Sequence, residues 1–224
     1  MSALLRFPPF AALGPAALAA LGEGAQEMAF PAGAALMRRD AAEDRALLLL
    51  EGALRVGATS PEGRSVTFRV VQPVELVGEI SVLDGGPRTA DVEALGPCRV
   101  LCLPGPAVRR AVAAHPEVGA AFVRLLCRRL RDTSTGMEGI ATLRLPERMA
   151  ATLLRVAREQ GTGMAGGAVL LPARLSQGEL AAMVAATREA VNRQLAAWRE
   201  DGLVEARGGR LALLRPAALE ALLG

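Results

Sequence analysis

Residues 77–95 read VGEISVLDGGPRTADVEAL. A carboxylate at Glu79 and a guanidinium at Arg88 stand at the two ends of one short apolar segment, with a turn at Gly85-Gly86-Pro87 and a hydroxyl at Thr89. An arginine presents two parallel donors to an oxyanion, whereas a carboxylate only accepts, so the two ends make opposite demands on a neighbour. A second constellation, Arg188, Glu189, Asn192 and Arg193, lies near the C-terminus. Arg donates two parallel hydrogen bonds to guanine in the major groove and Glu accepts from the cytosine amine, so a helix carrying Arg188, Glu189 and Arg193 outward would read G·C pairs. Hydrolysis of a phosphodiester by Glu79 and Arg88 would need a general-base histidine or a metal-carboxylate cluster beside them. The chain has one histidine, His115, a helix-start residue before Pro116, and three cysteines, Cys98, Cys102 and Cys127, without a CxxC pair. An enzyme is therefore not expected, nor a metal, and the cysteines indicate a reduced, cytoplasmic setting.

Other elements must position these groups. All 26 basic residues are Arg. Residues 1–143 hold 15 of them against 15 acidic residues and residues 144–224 hold 11 against 8, so the excess positive charge lies in the last third. The apolar N-terminus is broken by Pro8, Pro9 and Gly14-Pro15 and reads as a short amphipathic helix from about Pro15, not a signal peptide. No segment reaches the roughly 18 uninterrupted apolar residues of a membrane span. From about Phe30 to Leu103 the texture is strands and tight turns: LLLLEGALRVG turns at Glu51-Gly52, SVTFRVV alternates at Val66, Phe68 and Val70, and CRVLCL alternates Cys98, Val100 and Cys102 with Arg99, Leu101 and Leu103. These strands predict a small antiparallel barrel or sandwich with the cysteines in its wall.

After Pro104 the period becomes helical. Val123, Leu126, Leu130, Thr133, Met137 and Ile140 recur at alternating spacings of three and four, the seam of a coiled coil, so two copies of the helix are expected to pair as a homodimer. Thr133 on the seam and Ser134 beside it either fix register or hydrogen-bond something bound at the dimer interface. Ser176 with Glu179 makes a capping box, Ala185-Ala186 a short turn and Thr187 a cap for a second helix. In that helix Val191, Leu195 and Trp198 face a core, opposite Arg188, Glu189, Asn192 and Arg193. Arg207 and Arg210 flank a Gly208-Gly209 turn in a following hairpin. Two helices, a short turn and a hairpin make a winged helix-turn-helix, with double-stranded DNA as partner through Thr187, Arg188, Glu189, Asn192, Arg193, Arg207 and Arg210. The plainer reading of the second helix is a solvated face with Glu189–Arg193 pairing at i, i+4.

This order of parts resembles the family of cyclic-AMP receptor proteins and their fumarate-nitrate regulator relatives over nearly the whole chain. The resemblance implies an α+β fold: a cyclic-nucleotide-binding antiparallel β-roll, jelly-roll-like, over residues 1–113, a dimerisation helix over 114–143, and a winged helix-turn-helix over 144–224. In that family a Gly-Glu pair opens, and an Arg-Ser or Arg-Thr pair closes, a phosphate-binding cassette. By resemblance Gly78, Glu79, Ile80, Arg88 and Thr89 hold the sugar phosphate of a cyclic nucleotide, Arg88 taking the phosphate and Glu79 the ribose hydroxyl. Thr133 and Ser134 match the positions that meet adenine, one from each subunit. The implied effector is cyclic AMP first and cyclic GMP second, because PRTA also resembles the cassette of cyclic-GMP domains.

The resemblance further implies a palindromic site with TGTGA-like half-sites and recruitment of RNA polymerase, with no membrane partner. The loop Gln160 to Ala168 lies where the family meets the polymerase. At the corner of the helix pair the family commonly has Gly where Ala185 stands, and a left-handed conformation would cost Ala about 1 kcal/mol. The alternatives are a regulator of the same family sensing haem or an iron-sulfur cluster, for which the N-terminal cysteine cluster is missing, and a constitutive regulator with Thr133 and Ser134 paired across the seam.

Overall fold

The computed structural model describes residues 2–59, 65–171 and 176–223, apart from the side chains of Ser2, Ser65, Ile140 and Glu159. The chain forms two compact units, residues 1–132 and 133–224. The first contains α1 (Ser2–Leu5), α2 (Pro15–Leu21), β1 (Gln26–Phe30), β2 (Ala35–Met37), β3 (Arg45–Glu51), β4 (Leu54–Thr59), β5 (Ser65–Val71), β6 (Glu75–Val77), α3 (Glu79–Asp84), β7 (Asp91–Ala94), β8 (Cys98–Pro104) and α4 (Gly105–Ala114). Helix α5 (Pro116–Thr142) begins in this unit, and its last ten residues belong to the second.

Two antiparallel four-stranded sheets, ordered β1-β8-β3-β6 and β2-β7-β4-β5, make the β-roll. The continuous apolar run of β3 has a direct cause: both faces of its sheet are covered. Ala46, Leu48 and Leu50 join the core made with the N-terminal helices, α4 and α5, while Leu47 and Leu49 join the core shared with β2, β4, β5 and β7. Strand β8 divides likewise, Leu101 and Leu103 to the helical side, Cys98 and Val100 to the other. The expected helix at Pro15 is present, and the segment before it packs through Phe7, Phe10 and Phe122, whose rings meet edge-on at 5.0 and 5.5 Å.

Strand β5 forms where expected but with its faces reversed from a simple apolar-in reading. Val66 and Phe68 are 51% and 53% exposed, and Thr67 is buried. Val71, buried and registered against Leu54, fixes the phase. Arg69, two residues earlier on the same face, reaches Glu75.

The second unit holds α6 (Leu145–Gln160), β9 (Thr162–Gly163), β10 (Val169–Leu170), α7 (Gln177–Met183), α8 (Arg188–Glu200), β11 (Val204–Arg207), β12 (Arg210–Leu213) and α9 (Pro216–Glu220). Its sheet is ordered β11-β12-β10-β9, so part of the 160–168 loop is a small antiparallel hairpin and not free chain. Val191, Leu195 and Trp198 of α8 are buried with Leu180, Val184 and Leu213. The reciprocal capping box forms as read: Glu179 N donates to Ser176 Oγ at 3.1 Å and Ser176 N to Glu179 Oε2 at 2.7 Å.

Candidate functional site

The segment between β6 and β7 wraps α3, and arginines from three directions grip its main chain. Gly78 precedes α3 with φ 79, a left-handed backbone suited to glycine; a Cβ there would also meet Met37 and the Arg88 guanidinium. Arg88 Nη1 donates to Gly78 O at 2.9 Å and to Ser81 Oγ at 2.7 Å, and its Nη2 donates to Arg45 O at 2.5 Å. Arg109, on α4, donates to Val82 O at 3.0 Å and bidentately to Asp44 at 2.7 and 2.8 Å. Arg129, on α5, donates to Leu76 O, to Glu79 and, at 2.7 Å, to Glu75.

The predicted cassette residues therefore come together, but their charged groups are already engaged. Glu79 and Arg88 are each 2% exposed, while Ile80 and Thr89 stand at the surface. Burial pushes the Arg88 guanidinium below its ordinary value, partly countered by Glu43. Burial also opposes the charge of Arg129, yet Glu79 and Glu75 outweigh it and hold its value above the ordinary one. Arg69 shares Glu75 at 3.4 Å, and burial with the nearby Arg129 lowers its value. Sequence reasoning missed Arg129. The available signal was helical phase, since it lies four residues before Thr133 on the long helix, but Arg124, Arg128 and Arg131 crowd the same stretch and hide which guanidinium turns inward.

Thr133 and Ser134 are exposed on α5, as are Val123, Leu130 and Met137. The seam residue Ile140 has its side chain outside the described residues. In the second unit Thr187 caps α8, its Oγ1 accepting from Ala190 N at 3.2 Å, and Arg188, Glu189 and Arg193 are exposed. Asn192 is half-buried, and its Oδ1 is shielded without a hydrogen-bond partner. The hairpin of β11 and β12 turns at Gly208 and Gly209, both with positive φ as a two-residue primed turn requires. Its arginines differ: Arg207 is exposed and pairs with Glu205 at 2.9 Å, while half-buried Arg210 commits Nε to Leu171 O at 2.8 Å. Ala185 occupies the corner of the helix pair with φ 50, the strained conformation expected there. Among the described residues no His, Cys, Asp and Glu cluster could hold a metal.

Comparison with known proteins agrees with this geometry. The family model of the cyclic nucleotide-binding domain matches residues 27–115, and that of the Crp-like helix-turn-helix domain matches residues 147–222. A CRP-like cAMP-activated global transcriptional regulator of Mycobacterium tuberculosis is 32% identical over 205 residues, 92% of this chain and 91% of its own. A solved CRP-family regulator of Thermus thermophilus is 28% identical with a TM-score of 0.71, covering 88% of this chain and 96% of its own. FixK2 of Bradyrhizobium japonicum, at 21% identity, shares the fold with a TM-score of 0.78 over 89% and 98% of the two chains. A cyclic-nucleotide-binding domain joined to a helix-turn-helix DNA-binding domain defines a transcription regulator and not an enzyme. The chain belongs to the CRP/FNR family of such regulators.

Proposed function

We propose that this regulator is a homodimer whose affinity for a palindromic, TGTGA-like DNA site is set by cyclic AMP, with cyclic GMP as second choice, and that it acts in the cytoplasm as an activator recruiting RNA polymerase. The observation that carries the effector assignment is the cassette itself. Arg88 and Glu79 are buried at the two ends of one loop-helix segment. There a phosphate and a sugar hydroxyl would meet a guanidinium and a carboxylate by sharing or displacing their present partners, Gly78 O, Ser81 Oγ and Arg45 O on one side and Arg129 on the other. The proposed ligand contacts are Gly78, Glu79, Ile80, Arg88 and Thr89 from the cassette, with Thr133 and Ser134 meeting the purine from the two subunits.

Dimerisation is supported by the stripe of Val123, Leu130 and Met137, each at least 60% exposed in the single chain. Residues Thr187, Arg188, Glu189, Asn192 and Arg193 would enter the major groove, with Arg207 and Arg210 on the wing. Nucleotide would act by favouring one arrangement of the long helix, so DNA affinity changes only by the ligand's preference for that arrangement. Among the described residues no helix is long and apolar enough to cross a membrane.

The test is binding to a palindromic TGTGA-type duplex at fixed salt, titrated with cyclic AMP and cyclic GMP, for the native chain and Arg88→Leu. Salt is fixed because phosphate contacts dominate total affinity. Tightening of at least about tenfold, equivalent to roughly 1.4 kcal/mol of coupling, that is lost in Arg88→Leu supports the reading. Equal binding without nucleotide identifies a constitutive regulator instead.

A further inference from the structure

We infer that Glu43 is an internal counter-anion for Arg88 and sets how tightly the site takes an anionic effector. The inference rests on the cyclic-nucleotide reading above.

Glu43 lies in the turn before β3, outside the cassette. Its Oε2 is 3.6 Å from Arg88 Nη2 and 3.4 Å from Arg45 Nη2, close enough for charge attraction but without a hydrogen bond at that oxygen. Arg88 Nη1 has both hydrogens engaged, by Gly78 O and Ser81 Oγ, and Nη2 donates one to Arg45 O. Its Nε is shielded from solvent and donates to nothing. Arg45 Nε is in the same condition.

Three unsatisfied polar atoms thus gather at one place: one anionic acceptor and two guanidinium donors. Buried polar atoms are usually partnered, so such a cluster calls for a physical account. Glu43 balances the charge of the two arginines without completing their hydrogen bonds. An effector phosphate approaching Arg88 must bring its negative charge close to this carboxylate, and the repulsion weakens binding. The Arg88 side chain is only 1% exposed, whereas those of Glu43 and Arg45 are each 34% exposed, so these two are the members of the cluster that solvent reaches.

The local fold has ties that do not pass through the Glu43 carboxylate. The main chain ties this turn to the Arg88 loop, Asp40 N donating to Arg88 O at 2.9 Å and Arg88 N to Ala41 O at 3.1 Å. Neighbouring Asp44 is held separately by Arg109. Neutralising Glu43 should leave this framework in place while raising the net positive charge around Arg88.

The experiment is calorimetric titration of the full chain with cyclic AMP and cyclic GMP, for native protein, Glu43→Gln, Glu43→Ala and Glu43→Asp, with a thermal melt of each in the absence of nucleotide. Glu43→Gln and Glu43→Ala should bind at least fivefold more tightly, and Glu43→Asp, which keeps the charge, should remain near native. A purely structural role predicts weaker binding on neutralisation. Unchanged or weakened binding in both neutral variants overturns the inference while native binding leaves the effector reading intact. Failure of native protein to bind either nucleotide overturns the effector reading first, and the role of Glu43 with it.

Discussion

The Arg129 guanidinium on α5 is ion-paired with the Glu79 carboxylate at the start of α3, and Glu79 is 2% exposed. One charged contact therefore joins the long helix to the cassette within the first unit, and Leu76 O and Glu75 hold the same guanidinium from the side. If effector ribose takes Glu79, this contact must be shared or released, so the pair stands where ligand occupancy and helix position would be coupled.

Removing Arg129 leaves Glu79 buried and uncompensated, a change that typically costs about 3–5 kcal/mol. Because Glu75 is partly open to solvent, the lower end is expected for Arg129→Gln. Urea denaturation of the native and variant chains without nucleotide would measure it. A loss below about 1 kcal/mol would mean that the pair is no more than a surface contact.

Asp44 gives a dependence on pH. Hydrogen bonds from Arg109 hold its carboxyl below the ordinary 3.8 against the opposition of burial, with further help from the charges of Arg109 and Arg88. The folded state thus binds this proton less readily than the unfolded chain. The stabilisation is complete above the unfolded value and disappears as pH falls through the lower folded value. Asp44→Asn should reduce stability at pH 7 and lose that effect progressively as pH falls below 3.8, seen as urea midpoints that converge on acidification. The effect is modest, since Asp44 is about half exposed.

Ala185 offers the opposite kind of test. With φ 50 it occupies a left-handed conformation that costs a residue with a Cβ about 1 kcal/mol or more. Ala185→Gly removes that strain and gives back part of the gain as unfolded-chain entropy, leaving roughly 0.5 kcal/mol. A melting temperature higher by a few degrees is expected. A lower one would show that the Ala185 methyl contributes packing its exposed position does not reveal.

This corner was legible in the sequence because local rules govern it: caps at Ser176 and Thr187, a two-residue turn, and the spacing of Val191, Leu195 and Trp198. The cassette was legible through the order of its residues, but the electrostatics inside it were not. Glu79 and Arg129 are 50 positions apart, Arg88 and Arg45 are 43 apart, and no local period announces such pairings. The β5 strand shows the same limit. Alternation located the strand but did not say which face turns inward, because Val71 and Arg69 settle that through partners elsewhere in the chain.

The long helix carries a dimer prediction. Leu130 is 67% exposed and lies midway along the apolar stripe, with Val123 and Met137 one heptad to either side. Leu130→Glu puts like charges at the seam of a pair and removes apolar burial there. Sedimentation at micromolar concentration should show monomer, with DNA affinity falling steeply because two half-sites are no longer held by linked domains. A variant that remains dimeric would place the interface elsewhere.

Arg193 and Arg207 should fail in different ways when removed. Arg193 is exposed on the same outer face of α8 as Arg188 and Glu189, where a guanidinium can take guanine bidentately. Arg193→Ala should therefore weaken binding to a TGTGA-type duplex by roughly 1–3 kcal/mol while scarcely changing binding to a scrambled duplex. Arg207 sits beside the Gly208-Gly209 turn, and its Nε is held by Glu205, so its charge is directed by the hairpin and not by the recognition helix. Arg207→Ala should weaken both duplexes by similar factors and lower the salt slope by about one. Binding isotherms at three salt concentrations separate the two behaviours. Equal loss on both duplexes for Arg193→Ala would move the base-reading role to Arg188 and Glu189, and an unchanged salt slope for Arg207→Ala would mean that the Glu205 pair already neutralises it.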